Sequence, residues 1–294
     1  MSQTIIAIAS GKGGTGKTTI ATNLASIAAE RDQNVQLLDC DVEAPNAHLF
    51  LNPVISKREE IYLPVPFVHD ELCNACGDCG RICRFSAIVS LKTIPLCFPE
   101  LCHSCGGCIR VCPTGAITES HRTLGVIEEG LAGNLHYCGG KLRIGEAISP
   151  PLIKAVKKKA HTQGLIFIDS PPGTSCPVIE AVHHSTFVVL VTEPTPFGLN
   201  DLSLAVETMR ELRLPFGIVV NRVLPGRETI RCFCDKEKID ILAEIPEDRG
   251  IAESYSQGKM AIRMNREFYN IYSKLLKELE SRDELNRSSP RSGI

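Results

Sequence analysis

Residues 10–19, SGKGGTGKTT, constrain the fold of this chain more than any other segment. They follow an apolar run at residues 5–9 and precede a segment in which Ile20, Leu24, Ile27 and Ala28 recur at helical spacing. The segment is a glycine-rich turn that lies between a strand and a helix and ends in Gly-Lys-Thr. This pattern predicts a phosphate-binding loop. The backbone N–H groups of such a loop surround phosphate oxygens, and the positive end of the helix points at them.

The side chains of this loop predict an ATP site with Mg²⁺. Lys17 is expected to contact the β- and γ-phosphates, and the Thr18 hydroxyl is expected to bind Mg²⁺. The other loop residues assigned to ATP binding are Gly11, Gly13, Gly14, Thr15, Gly16 and Thr19. A glycine-rich turn without a ligand is the alternative, and the strand before it and the helix after it argue against that alternative.

Four further apolar runs predict the strands of a parallel sheet that helices cover on both faces. The runs are residues 35–39, 165–169, 187–191 and 216–220. Helices are expected at residues 18–30 and 199–212, and a terminal helix carries an apolar stripe from Phe268 to Leu279. Residues 41–66 contain four prolines and are predicted to be irregular. The fold class is therefore an α/β P-loop NTPase with a mostly parallel sheet.

Two of the predicted strands end in carboxylates. Asp39 and Asp41 lie at the end of residues 35–39, and Asp169 ends residues 165–169. Open α/β sheets bind ligands at the carboxyl ends of their strands, so we expect these side chains near the nucleotide. Asp169 is predicted to hold Mg²⁺ through water. A helix cap or turn is the alternative role for Asp39 and Asp41.

The loop, with its additional lysine Lys12, resembles the deviant Walker loop of the MinD/ParA/nitrogenase-iron-protein ATPases. The resemblance implies a homodimer on ATP binding, in which Lys12 reaches the phosphates bound by the partner subunit. A solvated loop lysine is the alternative. The resemblance also implies that Asp41 orients the attacking water and that Asp39 contacts a water on Mg²⁺. Lys12, Lys17 and Asp41 are thus the expected catalytic residues.

Two later segments extend this resemblance. Residues 169–173, DSPPG, resemble the family's switch II segment, which senses the γ-phosphate. Asn221, at the end of the last predicted strand, resembles the adenine-contacting asparagine, and residues 245–248 resemble the loop that flanks the base. Ordinary turn chemistry explains Asn221 and residues 245–248 equally well.

Eight of the fourteen cysteines form two repeats of Cys-x₂-Cys-x₂-Cys-x₃-Cys. The repeats begin at Cys73 and Cys102, 29 residues apart, and each is followed by Ala-Ile at the same distance. The pattern resembles the bacterial two-cluster ferredoxin, in which three thiolates of one loop bind one cluster and the fourth comes from the other repeat. Two zinc sites are the alternative, although zinc motifs pair Cys-x₂₋₄-Cys units across a longer spacer.

The ferredoxin resemblance implies two [4Fe–4S] clusters. Cluster 1 would be held by Cys73, Cys76, Cys79 and Cys112, and cluster 2 by Cys102, Cys105, Cys108 and Cys83. Arg84 stands where the second repeat has Pro113. A cation there is expected to favour the reduced state of the cluster that Cys83 serves and to raise its potential.

A further pair, Cys232 and Cys234, lies near the position where Mrp-type iron–sulfur carriers have a Cys-x-x-Cys that joins its twin across the dimer. Two chains would then supply four thiolates for a bridging metal or cluster, because thiolates select soft metals. The spacing is one residue shorter than in that motif. Two ordinary thiols on a helix are the alternative.

These patterns predict an ATPase domain at residues 1–66 and 119–294, interrupted by a small ferredoxin-like α+β domain at residues 67–118. The last ten or so residues are expected to be disordered. The main functional hypothesis is an ATPase in which a nucleotide-switched dimer gates electron transfer through both clusters to a redox partner protein. The alternative is an iron–sulfur or metallocluster carrier or maturation ATPase of the Mrp type, with a cluster acceptor as its partner. The insert follows Asp41 closely, so we expect coupling between clusters and nucleotide.

Composition excludes several other classes. The net charge of −2 and the lack of a Lys/Arg stripe argue against a nucleic-acid partner. No apolar run is long enough for a membrane span, and the C-terminal segment has no apolar face, so we expect no membrane attachment and a cytoplasmic location. Cysteines at this density in a reducing compartment indicate metal or redox chemistry rather than disulfides.

Overall fold

The computed structural model describes residues 3–31, 34–91, 93–224 and 228–288. The chain forms two compact units. The large unit comprises the described residues of 1–58, 127–141 and 153–294, and the small unit comprises those of 59–126 and 142–152. All eight repeat cysteines belong to the small unit.

Nine strands form the main sheet, and two short strands form a separate pair. The nine are β1 (Gln3–Ala9), β2 (Val35–Asp39), β3 (Val54–Val68), β6 (Ile117–Ala132), β7 (Leu135–Leu142), β8 (Gly164–Asp169), β9 (Phe187–Thr192), β10 (Phe216–Val223) and β11 (Ile241–Pro246). The pair is β4 (Ile88–Val89) and β5 (Leu96–Cys97), which run antiparallel. The order in the main sheet is β11-β10-β9-β1-β8-β2-β7-β6-β3.

Ten α-helices connect or cover these strands within the described residues. They are α1 (Lys17–Glu30), α2 (Ala47–Leu51), α3 (Asp78–Ile82), α4 (Gly107–Arg110), α5 (Pro150–Lys157), α6 (Cys176–Val182), α7 (Pro196–Glu211), α8 (Thr229–Glu237), α9 (Arg249–Ser256) and α10 (Arg266–Ser288).

The central strands pair in parallel, which confirms the predicted mostly parallel sheet. Strand β1 lies between β8 and β9, and β2 lies between β8 and β7, all in parallel register. Every residue of β2 and of β9 is buried, although successive side chains point to opposite faces. Both faces are therefore covered, as the continuous apolar runs predict. Helix α1 packs on the sheet through Ile20, Leu24 and Ile27, which are fully buried.

The prediction that residues 41–66 are irregular was wrong. This segment contains α2 and most of β3, a strand of 15 residues that includes Pro64 and Pro66. Because β3 is the last strand of the sheet, no other described strand pairs with one of its sides. A proline, which lacks an N–H group, is tolerated at such an edge.

Helix α7 begins three residues before the predicted start at residue 199. The hydroxyl oxygen of Thr195 accepts a hydrogen bond from the N–H of Gly198 at 2.9 Å, and Pro196 takes the first helical position. A threonine cap followed by proline is a start signal that the sequence contained.

The terminal helix α10 carries the predicted apolar stripe into the core beside α1. Phe268, Tyr272 and Leu276 are each 1% exposed or less. The helix continues to Ser288, so Arg287 and Ser288 are helical rather than disordered as predicted. The rest of the predicted disordered tail lies outside the described residues. No helix in the described part of the chain is long and apolar enough to cross a membrane.

The two cysteine repeats have the same backbone. A 3₁₀ turn precedes each (Asp70–Leu72 and Pro99–Leu101), and α3 and α4 follow at matching positions. Gly77 and Gly106 occupy the same place before these helices with left-handed φ of 81° and 69°, a conformation that favours glycine.

Hydrogen bonds connect each repeat to the other. The His69 N–H donates to the Ala116 carbonyl, and the Phe98 N–H donates to the Ala87 carbonyl, each at 2.8 Å. The start of one repeat is therefore tied to the end of the other in both directions, which is the arrangement expected of a duplicated unit.

Candidate functional site

The phosphate-binding loop connects β1 to α1 in the large unit. Gly16 precedes α1 with a left-handed φ of 96°, and a Cβ there would lie 2.4 Å from Nδ2 of Asn221. The same Nδ2 donates a hydrogen bond of 2.8 Å to the Thr15 carbonyl. A Cβ on Gly11 would lie only 2.1 Å from the Asp201 carbonyl oxygen. The glycines thus permit close packing that fixes the shape of the loop.

A cavity of about 870 Å³ opens in front of this loop. It is large enough for a nucleotide. Of the residues predicted to bind ATP, it is lined by Gly13, Gly14, Gly16, Lys17, Thr18, Thr19, Asp41 and Asn221. Residues 246–248 of the predicted base-flanking loop also line it. Sequence reasoning missed Ala44, Asn46, Arg222, Arg249, Ile251, Ala252, Tyr255 and Tyr272.

Asp169 is a buried carboxylate at the end of β8. Its side chain is inaccessible to solvent, and among the residues that the structure describes neither oxygen accepts a hydrogen bond of ordinary geometry, although the Thr18 hydroxyl is close enough to act on it. Burial raises the pKa of Asp169 to about 7, although the nearby Thr18 hydroxyl and the Lys17 ammonium act in the opposite direction. Burial in turn lowers the pKa of Lys17, against the attraction of Asp169 and Asp41. An unpaired buried carboxylate beside a threonine hydroxyl is a donor set that suits Mg²⁺.

Asp39 and Asp41 have different environments. The two oxygens of Asp39 accept hydrogen bonds from the backbone N–H groups of Asp41, at 3.3 Å, and Ala47, at 3.1 Å. Asp39 therefore holds the loop that carries Asp41. Burial and the neighbouring Asp169 carboxylate raise the pKa of Asp39. Asp41 faces the cavity, and burial raises its pKa despite the charge of Lys17.

Lys12 lies beside Glu193, a residue that sequence reasoning missed. The Lys12 ammonium is 3.4 Å from one carboxylate oxygen of Glu193, and the Arg222 guanidinium is 2.6 Å from the other. The Glu193 side chain is only 11% exposed. Glu193 directly follows the buried strand β9 and so lies at the carboxyl edge of the sheet, where a sequence search for polar residues could have found it.

In the small unit, the four thiols predicted for cluster 2 line one cavity. Cys102, Cys105 and Cys108 come from the second repeat and Cys83 from the first. Apolar side chains, including Val65, Ile88 and Ile109, complete much of its wall. Phe85 stacks on His103 at the same cavity, with ring centroids 3.6 Å apart.

The last cysteine of each repeat lies in a matching backbone environment. Burial acts to raise the pKa of Cys83, but the N–H groups of Phe85, Ile88 and Ala87 outweigh it, and the pKa is lowered. The same balance lowers the pKa of Cys112, where Thr114, Ala116 and Ile117 provide the donors. Both environments favour thiolates, the form that binds metal.

For cluster 1, the structure brings two of the predicted ligands together in a small apolar core. Cys79 is buried there, and Cys112 packs against it. Cys73 and Cys76 are close enough to act on the pKa of Cys79, which burial raises. Cys97, to which the sequence assigned no role, packs against the same core. No group of three or more His, Cys, Asp or Glu side chains within the described ranges is arranged to hold a single metal ion.

Cys232 and Cys234 lie on α8 and point in different directions. Cys232 is exposed, whereas Cys234 is 1% exposed. Residues two positions apart on a helix do not share a face. The geometry of α8 therefore lends no support to a shared dimer-bridging site, which stays a prediction.

Comparison with known families assigns most of the chain to one family. A profile described as the CobQ/CobB/MinD/ParA nucleotide binding domain matches residues 6–262. The chain belongs to this nucleotide-binding family. The predicted MinD/ParA resemblance is thus confirmed.

Several relatives and one solved structure match most of the chain. An uncharacterised protein of Methanocaldococcus jannaschii is 40% identical over 220 residues, which cover 74% of this chain and 77% of that protein. An iron-sulfur cluster carrier protein of Pyrococcus abyssi is 24% identical over 269 residues, covering 86% of this chain and 77% of that protein. The septum site-determining protein MinD of Pyrococcus horikoshii, solved with Mg-ADP, superposes with a TM-score of 0.62 at 22% identity, covering 98% and 100%. This superposition shows the shared fold.

The unpaired carboxylate of this MinD/ParA family member predicts a pH-dependent effect of Asp169→Asn. The folded protein keeps the Asp169 proton up to a pKa of about 7, whereas the unfolded chain loses it near 3.8. The ionised carboxylate therefore costs stability as pH rises from 3.8 to about 7. Without nucleotide, Asp169→Asn should raise the Tm at pH 8 by about 2–4 °C for each kcal/mol regained, and should change little near pH 4.

Two controls distinguish the loss of the Asp169 charge from a general change in stability. Asp235→Asn removes an exposed carboxylate of α8 and should leave the Tm difference near zero at both pH values. Adding Mg-ATP should stabilise the parent far more than Asp169→Asn, because the variant lacks the carboxylate that suits Mg²⁺. An Asp169→Asn protein that is less stable than the parent at pH 8 without nucleotide would contradict the assignment.

Proposed function

We propose that this chain is an ATP-hydrolysing iron–sulfur protein that acts as a carrier or maturation factor for iron–sulfur clusters. The proposal rests on one observation: a single chain joins a phosphate-binding loop to two cysteine repeats, and four thiols drawn from both repeats line one cavity. Relatives named iron-sulfur cluster carrier protein, from two Pyrococcus species and Aquifex aeolicus, align with 86% or 87% of the chain and support a related role.

In the proposed ATPase, the loop N–H groups and Lys17 bind the phosphates. Thr18 and Asp169 would hold Mg²⁺, which neutralises phosphate charge when bound. Asp41 faces the cavity beside Lys17 and would orient the water that attacks the γ-phosphate. Asp39 serves this arrangement by holding the backbone at Asp41 and Ala47.

In the small unit, the two sets of four cysteines would hold two [4Fe–4S] clusters. When bound, these clusters supply one-electron chemistry or transferable iron and sulfide. The donor set suits them because the four thiols assigned to cluster 2 line a partly apolar cavity and because N–H groups favour the thiolate forms of Cys83 and Cys112, one from each set.

A second candidate function is ATP-gated electron transfer through resident clusters. One observation favours it: Cys83 belongs to the first repeat but lines the cavity of the second. Hydrogen bonds tie the two repeats together at both ends. Release of a cluster from that cavity would require the repeats to separate, so a cluster there is better suited to stay and exchange electrons.

An anaerobic transfer assay separates the two functions. The protein is loaded with ⁵⁵Fe and sulfide and mixed with the apo form of a [4Fe–4S] dehydratase, with and without Mg-ATP. A carrier passes label to the dehydratase and restores its activity in an ATP-dependent manner. An electron carrier keeps its label and instead changes reduction potential with Mg-ATP. Retained label and an unchanged potential would contradict both candidates.

Lys17→Ala should remove ATP hydrolysis and weaken ATP binding at least about tenfold, because the ammonium contacts the phosphates directly. The brown absorbance of the clusters should persist, since Lys17 lies in the large unit. The matched control is Lys274→Ala, which removes an exposed lysine of α10. Hydrolysis by Lys17→Ala at the parent rate would refute the site.

The contact between Lys12 and Glu193 generates a prediction about the proposed dimer. If Lys12 reaches the phosphates of a second copy, it must first leave Glu193, to which it is bound at 3.4 Å. Glu193→Gln should therefore increase the dimer fraction with Mg-ATP several-fold, and Lys12→Ala should abolish the dimer while the monomer still binds ATP. Analytical ultracentrifugation with and without Mg-ATP measures both. Identical association by the parent and both variants would rule out this role of Lys12.

A further inference from the structure

A buried ion pair lies against the second cysteine loop of the small unit. Arg122, on β6, forms a two-pronged contact with the Glu146 carboxylate. Its side chain is 8% exposed and that of Glu146 is fully buried. Nη2 of Arg122 also donates to the carbonyl of Cys102, at 3.4 Å. The guanidinium therefore connects the backbone of a predicted cluster 2 ligand to a carboxylate.

Glu146 is itself held in place. One of its oxygens accepts hydrogen bonds from the N–H groups of Ala147 and Ile148 at 3.1 and 3.3 Å. Nε of Arg122 is buried and has no hydrogen-bond partner in the described part of the chain. Buried ion pairs often contribute little net stability, because removing two charges from water offsets their attraction. Stability alone therefore gives no reason for an arginine at this position.

The first cysteine loop has a cation in a different setting. Nη1 of Arg81 donates to the Cys76 carbonyl at 3.1 Å, but the Arg81 side chain is 69% exposed and pairs with Asp78. Water and salt screen an exposed charge much more than a buried one. The two loops thus have similar backbones but unequal electrostatic surroundings.

We propose that Arg122 is a positioning residue for the Cys102 loop and that its charge, balanced by Glu146, makes cluster 2 easier to reduce than cluster 1. This inference rests on the proposed function, because it requires both clusters. The buried guanidinium lies next to a ligand of only one of them. Electrons entering the small unit would therefore collect at the site formed by Cys102, Cys105, Cys108 and Cys83.

The sign follows from simple electrostatics. Reduction adds one negative charge, which a nearby cation stabilises and a nearby carboxylate opposes. Removing the charge of Arg122 and removing that of Glu146 should therefore move the potential in opposite directions.

The test is an anaerobic redox titration of the reconstituted protein, followed by EPR so that the two clusters are distinguished. Arg122→Gln should lower the potential of one cluster by about 59 mV, which is about tenfold in a one-electron reduction equilibrium. Glu146→Gln should raise the potential of that same cluster. The double variant, which buries a neutral pair, should fall between them. Arg81→Gln, the matched control at the exposed loop, should shift the other cluster by much less.

A merely structural role would give a different result. Loosening of the loop would shift both single variants in the same direction, and that outcome, or no shift in either, would overturn the proposal. If Arg122→Gln does not fold, a higher potential in Glu146→Gln than in the double variant supports the proposal, and equal potentials overturn it. A parent protein without two [4Fe–4S] signals would contradict the proposed function itself, and the EPR spectrum shows this before any variant is compared.

Discussion

The large unit buries a carboxylate, Asp169, whose charge no described residue fully compensates. Strand β8 ends at Asp169 in the middle of a parallel sheet, where both faces are covered and water is excluded. The cost of this burial appears as a pKa raised to about 7, which Lys17 and Thr18 reduce only in part. A divalent cation bound with a nucleotide would remove the cost. The fold therefore places a carboxylate that a cation would neutralise close to where phosphates are expected.

The small unit treats two of its thiols in the opposite way. Its backbone holds the last cysteine of each repeat, Cys83 and Cys112, where N–H groups favour the thiolate before any metal arrives. Hydrogen bonds between the ends of the repeats keep thiols from both halves around one cavity. Burial therefore disfavours the charge of Asp169, which a cation would neutralise, whereas the small unit stabilises the thiolate charge that binds metal.

Local sequence patterns predicted much of this structure. The parallel strands and the loop around Lys17 were visible because continuous apolar runs and glycine spacing act locally. Strand β3 was missed because its two prolines are acceptable only at a sheet edge, which depends on neighbours far away in sequence. The contacts of Lys12 with Glu193 and of Arg122 with Glu146 were equally hidden, since each joins residues from different elements. Which of Cys232 and Cys234 is buried depends on how α8 packs against its neighbours, and the short motif alone does not reveal that packing.

The most direct test of cation binding at Asp169 is the thermal unfolding of the parent protein, measured anaerobically with Mg²⁺ alone, ATP alone and both together. We expect strong synergy, because the cation would neutralise Asp169 and the loop would bind the phosphates. At about 100 times the dissociation constant, Mg-ATP should add about 2.7 kcal/mol of stability, well above the sum of the separate effects. Equal increases in Tm with ATP and with Mg-ATP would show that the buried carboxylate has no part in binding, and would contradict the role given to Asp169.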